Sequence, residues 1–239
     1  MIYVTGDTHG DYDWSKLNTT NWPEQKSLNK SDYLIICGDV AARWFDTRPD
    51  GSLHPQDEYI IQLYENKPFT TLFVDGNHEN HPALAEYPVT EWNGGKVHKI
   101  SDSVYHLMRG QVFTIDGKTF FTMGGATSID KYRREENVSW WEAEMPSRGE
   151  LEEGIANLEK YNFKVDYVVT HCCGTSLIPV LLPFGGESDT LTSYFDHLEL
   201  NFKLDFTHWY FGHYHKDRRI DSKHTCLYQN VERLDASPD

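Results

Sequence analysis

Five short apolar runs limit what this 239-residue chain can fold into: 2–5 (IYVT), 33–37 (YLIIC), 70–74 (TTLFV), 165–170 (VDYVVT) and 206–211 (FTHWYF). They are too short for buried helices and rich in β-branched and aromatic residues, so they read as strands. Weaker strands are expected at 97–100, 104–108 and 224–228. The segment 111–123 (QVFTIDGKTFFTM) reads as a hairpin, because Asp116-Gly117 suits a two-residue turn between β-rich arms. Three stretches place apolar residues on one helical face: 56–66 through Ile60, Leu63 and Tyr64; 149–160 through Leu151, Ile155 and Leu158; and, more weakly, 189–199. The pattern predicts one mixed α/β domain over 1–233, with a frayed tail at 234–239.

Each strong run ends in the same kind of cargo. Gly6-Asp7-Thr8-His9 follows the first, Gly38-Asp39 the second and Gly76-Asn77-His78-Glu79 the third. His171 follows the fourth, and Gly212-His213-Tyr214-His215 the fifth. Ligands of α/β sheets gather beyond the carboxyl ends of strands, and glycine permits tight turns and close backbone approach there. Residues two apart in an extended segment share a side, so Asp7 with His9, and His213 with His215, are expected to aim at one point. Two carboxylates, one amide and four imidazoles form a mixed O/N donor set. Such a set suits Mn, Fe, Zn or Ni and not calcium. Seven donors exceed one tetrahedral zinc but fit two ions if a carboxylate, most simply Asp39, is shared.

The net charge sharpens this reading. At −15, with 37 acids against 22 bases, the chain disfavours long nucleic acid, which needs many Lys and Arg contacts to phosphates. Two divalent ions against two carboxylates would nevertheless leave a local positive patch, suited to a phosphoester. No apolar run approaches the ~18 residues of a membrane span. No basic leader precedes the first strand, so a cytoplasmic protein that binds no membrane is expected. Cys37, Cys172, Cys173 and Cys226 form no C-x-x-C pair and read as packed thiols.

The ordered set D-x-H, GD, GNHE, a lone His after a strand and GHYH, spanning residues 6–215, resembles the calcineurin-like metallophosphoesterase superfamily. The resemblance implies a four-layer α/β/β/α sandwich with two mixed β-sheets. It also implies two divalent metal ions, manganese first among them: Asp7, His9 and His215 on one, Asn77, His171 and His213 on the other, and Asp39 bridging. A hydroxide between the metals would attack phosphorus in line. His78 would stabilise the transition state or protonate the leaving oxygen, a role that suits imidazole.

GDVAAR at 38–43 also resembles GDxxDR of the Ser/Thr protein phosphatase branch, which makes Arg43 a candidate phosphate ligand. Ala42 and Trp44 depart from that pattern, so a protein phosphatase or nucleotide hydrolase stands as the alternative. A non-catalytic scaffold is a further one, but a scaffold would be expected to lose ligands. The stretch 124–147 lacks a clear period and offers Arg133, Arg134, Trp140 and Trp141 as substrate contacts, with Asp130 as a helix cap. Glu79 is a candidate to orient His78. The expected substrate is a phosphorylated small molecule, a nucleotide or a phosphopeptide.

Overall fold

The computed structural model describes residues 1–183, 185–186 and 188–234. Its strands are β1 (Ile2–Thr5), β2 (Tyr33–Ile36), β3 (Thr70–Phe73), β4 (Val89–Trp92), β5 (Gly95–Ser101), β6 (Val104–Leu107) and β7 (Gln111–Ile115). They continue through β8 (Lys118–Met123), β9 (Tyr167–Thr170), β10 (His208–Phe211), β11 (Arg218–Arg219), β12 (His224–Cys226) and β13 (Val231–Arg233). One sheet runs β13-β1-β2-β3-β6-β5-β4 and the other β11-β12-β10-β9-β8-β7. Each has four parallel central strands flanked by antiparallel edges.

The period-two alternation of side chains explains the layering. Val4, Ile35, Leu72 and Val74 of the first sheet meet Phe120, Tyr167, Val169 and Tyr210 of the second in a core between the sheets. The intervening residues face outward. Tyr3, Leu34, Ile36 and Phe73 pack against helix α1 (Pro55–Glu65) and the loops around Leu17 and Trp22. Phe121, Val168, Trp209 and Phe211 pack under α3 (Arg148–Lys160) and α5 (Thr190–Asp196). The result is the four-layer α/β/β/α sandwich with two mixed sheets. α2 (His81–Ala85) and α4 (Ile178–Leu181) are short connectors.

Local chemistry sets the helix ends. Pro55 opens α1, where its missing N–H costs nothing, with Asp57 and Glu58 in the first turn. Ser147 and Glu150 close a capping box on α3. The 111–123 hairpin turns at Asp116 (φ 47) and Gly117 (φ 73), with Ile115 opposite Lys118. Leu234, expected to be frayed, is instead buried: its N–H donates to Ile2 O and its carbonyl accepts from the Tyr167 hydroxyl. The rest of the expected tail, 235–239, lies outside the described residues. Among the described residues, no helix is long and apolar enough to cross a membrane.

Candidate metal centre

The polar residues that follow β1, β2 and β3 of one sheet meet those that follow β9 and β10 of the other, at the seam between the sheets. Asp7 and Asp39 are fully buried there. Asp39 presents one oxygen to each side: Oδ2 lies 3.3 Å from His9 Nε2, and Oδ1 lies 3.4 Å from His171 Nε2. Asp7 Oδ2 lies 3.2 Å from His215 Nε2, and its Oδ1 is 4.0 Å from His171 Nδ1. Asn77 Oδ1 is 3.1 Å from His171 Nε2. The His213 ring stands edge-on to that of His171 at 5.0 Å, and its backbone N–H donates to both Asp7 oxygens. All seven residues singled out after the strands are therefore brought together.

The backbone that gathers them is not the extended chain anticipated from the i, i+2 spacing. His9 (φ 44), Asp39 (φ 51), His213 (φ 66) and His215 (φ 49) are all left-handed. Each such non-glycine residue is strained and needs surrounding structure to hold it. That structure is present. Thr8 and His9 N–H groups donate to Asp39 O at 3.2 and 2.7 Å, and Gly10 N–H donates to Val40 O. Glu79 Oε1 accepts from Val40 and Ala41 N–H at 2.8 and 3.2 Å. Glu79 therefore braces the loop that carries Asp39, and its hydrogen-bonded oxygen does not orient His78. Burial pushes its carboxyl pKa well up.

Two imidazoles have their orientation fixed from behind. His9 Nδ1 bonds Asp13 Oδ2 at 2.7 Å, and His171 Nδ1 donates to Cys37 O at 2.6 Å. Each thereby turns Nε2 toward Asp39, the arrangement that metal-binding histidines adopt. Asp13 also accepts from the Tyr228 hydroxyl at 2.8 Å, and the Tyr228 ring stacks on His215 at 4.7 Å. Asp13 and Tyr228 escaped the sequence reading; the i, i+4 spacing of His9 and Asp13 was the available signal. Lys16 was missed too. Its buried ammonium donates to the carbonyls of Gly6, Asp7 and Tyr228 and ties the end of β1 to the segment after β12.

The electrostatics fit a cation site. Burial alone would raise the pKa of both carboxyls, but His215 and His171 beside Asp7, and His171 and His9 beside Asp39, hold them below the usual range. The reciprocal effect appears on the imidazoles. Burial opposes their charge, yet the carboxylates push His171 up to about 10 and, with Asp13, His9 up to about 9. Two buried carboxylates thus demand positive charge, and borderline nitrogen donors stand around them. Three compact donor groups recur: Asp7 with His9 and His215, Asp7 with Asp39 and His171, and His9 with Asp39 and His78. Glycine makes room for the carboxylates. A Cβ on Gly76 would stand 2.0 Å from Asp39 Oδ1, and one on Gly212 2.0 Å from Asp7 Oδ1. These observations fit divalent ions at the seam.

His78 sits at the rim. Its N–H donates to Asp39 Oδ1 at 2.7 Å, its ring lies 5.3 Å from that of His9, and Trp44 stacks on it at 6.5 Å. The Arg134 guanidinium lies 3.0 Å from His78 Nε2 and is held by Asp130 at 2.9 Å. Asp130 is therefore an ion-pair partner, and its side chain caps no helix.

The other expected substrate contacts divide. Arg43 is a correction: it is buried and engaged with Asp57, Thr47 and Glu86 beneath Tyr87, a fixed internal network that leaves it no phosphate-binding geometry. Arg133 is exposed and lies over Tyr132. Trp141 is buried and packs edge-on against Trp44, and Trp140 is half-buried under Lys131. Trp141 therefore packs within the protein, while Trp140 keeps part of its surface exposed. The four cysteines are free, buried thiols.

The calcineurin-like phosphoesterase family model matches residues 1–217. The chain is 34% identical over 113 residues to the lariat debranching enzyme of Caenorhabditis elegans, a match covering 44% of this chain and 21% of that protein. It is 29% identical over 140 residues to the Homo sapiens lariat debranching enzyme, covering 56% and 24%. Such matches span about a fifth to a quarter of the length of those relatives. Among solved structures, a putative 5'-nucleotidase from Staphylococcus aureus superposes with a TM-score of 0.48 at 16% identity, over 96% of this chain and 49% of that one. The match over residues 1–217, on a chain whose two sheets bring the same ordered residues to one seam, assigns the family. The chain belongs to the calcineurin-like phosphoesterase family, enzymes that hydrolyse phosphoric esters.

Proposed function

We propose that this chain is a phosphodiester hydrolase that uses two divalent ions, with manganese the first choice. Asp7, His9 and His215 would hold one ion, Asn77, His171 and His213 the other, and Asp39 would be shared. The observation that best supports this is the placing of Asp39, with one oxygen toward His9 and the other toward His171. When bound, the ions would supply charge to the phosphate oxygens and acidify water. The chain's own groups do the rest. Asp13 and the Cys37 carbonyl keep the Nε2 atoms of His9 and His171 inward. Arg134 offers N–H donors to a phosphoryl oxygen, and His78 hydrogen-bonds the leaving oxygen.

Preference for a diester rests on the shape of the surroundings. One cavity of about 270 Å³ opens beside His9 and His78, and another of about 570 Å³ beside His213. A diester has two substituents to place, a monoester one. The resemblance to lariat debranching enzymes is in keeping with this reading.

The test is turnover of bis(p-nitrophenyl) phosphate against p-nitrophenyl phosphate with added manganese. The diester should be cleaved faster, and EDTA should abolish both activities. Asp39→Asn should lose turnover and bound metal together. His78→Ala should keep its metal and slow by ~10²–10⁴-fold, as for loss of a proton-transfer group. Metal-loaded protein that turns over neither ester would count against hydrolysis and favour a scaffold.

A further inference from the structure

We propose that the cavity beside His9 and His78 is a subsite for one nucleobase, so that the substrate is a nucleotide ester; this rests on the phosphoesterase reading above. Position is the first argument. The cavity is lined by His9 and His78, the two rings that flank Asp39, so a group attached to a phosphate at the seam enters it directly. Its walls are the second. Tyr12, Trp44, Phe45 and Ile60 line it. Tyr12 is 91% exposed and Phe45 38%, and Phe45 is backed by a stacked His54 ring at 3.8 Å. Exposed rings beside a polar centre are the surface on which a planar base stacks.

Charge is the third argument. The acids at this cavity are Asp57, which already accepts from the Trp44 and Phe45 N–H groups, and Asp11. No Lys or Arg lines it among the described residues, so a second phosphate has no partner here. Asp11 and Gln56 can instead bond amino and hydroxyl groups of a nucleoside. Size is the fourth. At about 270 Å³ the cavity lies just below the range that holds drug-sized ligands, which suits a single base.

The experiment is calorimetric titration of the manganese-loaded protein with AMP and with ribose 5-phosphate, which differ only in the base. AMP should bind roughly 5–150-fold more tightly, the range base–aromatic stacking gives. Tyr12→Ala and Phe45→Ala should each cut that ratio several-fold; Tyr12 is solvent-facing, so its loss does not endanger folding. Leu200→Ala, an exposed apolar residue outside the cavity, should leave the ratio unchanged. Equal affinities, no binding of either ligand, or an AMP advantage that survives both aromatic substitutions would each overturn the subsite. Both ligands are monoesters, so phosphate release is measured in the same samples and binding is scored only where none occurs, which lets the two readings fail separately. A base effect in a protein that cleaves no ester would sink hydrolysis alone. Cleavage of bis(p-nitrophenyl) phosphate with AMP and ribose 5-phosphate bound equally would sink the subsite alone.

Discussion

Replacing Gly76 by alanine tests whether the centre depends on the position of Asp39. The added Cβ would fall 2.0 Å from Asp39 Oδ1, 2.4 Å from its backbone N and 2.8 Å from Cγ. Unstrained carbon contacts need about 3.5 Å. Turning the carboxylate could relieve the first clash but not the second, so the loop itself must move by about 1 Å. That loop accepts the N–H groups of Thr8 and His9 through Asp39 O, and Asp39 Oδ1 accepts that of His78, so both histidines are displaced with it. A misplacement of ~1 Å costs about 10²-fold in rate where reacting groups must align. Overpacking of this kind destabilises by about 1–3 kcal/mol, which most domains survive. Gly117→Ala is the control. Its left-handed φ (+73) adds a backbone penalty that Gly76 does not carry, but its Cβ meets nothing within 4 Å, so the protein should lose some stability and no activity. The assay is manganese-dependent cleavage of bis(p-nitrophenyl) phosphate, with bound metal measured by elemental analysis on the same sample. Gly76→Ala protein with wild-type turnover and full metal content would refute the reasoning.

Glu79→Gln should be tolerated, since the amide oxygen can still accept from Val40 and Ala41 N–H. Glu79→Ala leaves the buried Val40 donor and the half-buried Ala41 donor unpaired and should cost about 1–3 kcal/mol by urea denaturation, together with metal affinity. Equal loss in the two variants would mean that charge, and not bracing, is what Glu79 supplies. Stability should also fall in acid for a reason outside the centre. Burial, aided by Arg219, holds His208 down at about 4, below the ordinary imidazole value near 6.5. The unfolded chain therefore binds this proton first, so the contribution is complete above pH ~6.5 and is lost as pH falls toward 4. His208→Gln, which can keep a hydrogen bond to Thr225 in place of Nε2, should flatten the fall between pH 6.5 and 4. Unchanged slopes of denaturation free energy against pH would rule His208 out.

The central strands were legible because each is an apolar run with a polar end, and both signals are local. Of the four edge strands, β7 was legible as an arm of the local hairpin, while β4, β11 and β13 were not. Val89–Trp92 is largely exposed and holds no apolar run, and Val231–Arg233 exists because it pairs with β1, near the opposite end of the sequence. Nothing within either segment announces its partner. The same distinction runs through the site. Asp7, His9, Asp39, Asn77, His171, His213 and His215 stood out because each follows a strand, whereas Lys16 acts through carbonyls that folding alone brings to it. Arg43 misled because its motif is local while Asp57, Thr47 and Glu86, which hold it, come from the following segments. Glu79 adjoins His78 in sequence, and its hydrogen-bonded oxygen nonetheless faces the loop after β2, because neighbours in an extended turn diverge.

The centre is also the clasp between the two sheets. Asp7, from the first sheet, accepts the His213 N–H from the second, and His171, from the second, donates to the Cys37 carbonyl of the first. A shift of one sheet against the other would break these bonds and leave two buried carboxylates without compensation, a penalty of several kcal/mol. The apolar layer between the sheets tolerates small sliding, because burial has no direction. Hydrogen bonds to a carboxylate do not. The seam therefore fixes the register that the hydrophobic core leaves loose, and the same register sets the spacing of the donors. A cation held at this place would bind the two sheets together, so metal loading should stabilise the fold as well as serve the chemistry.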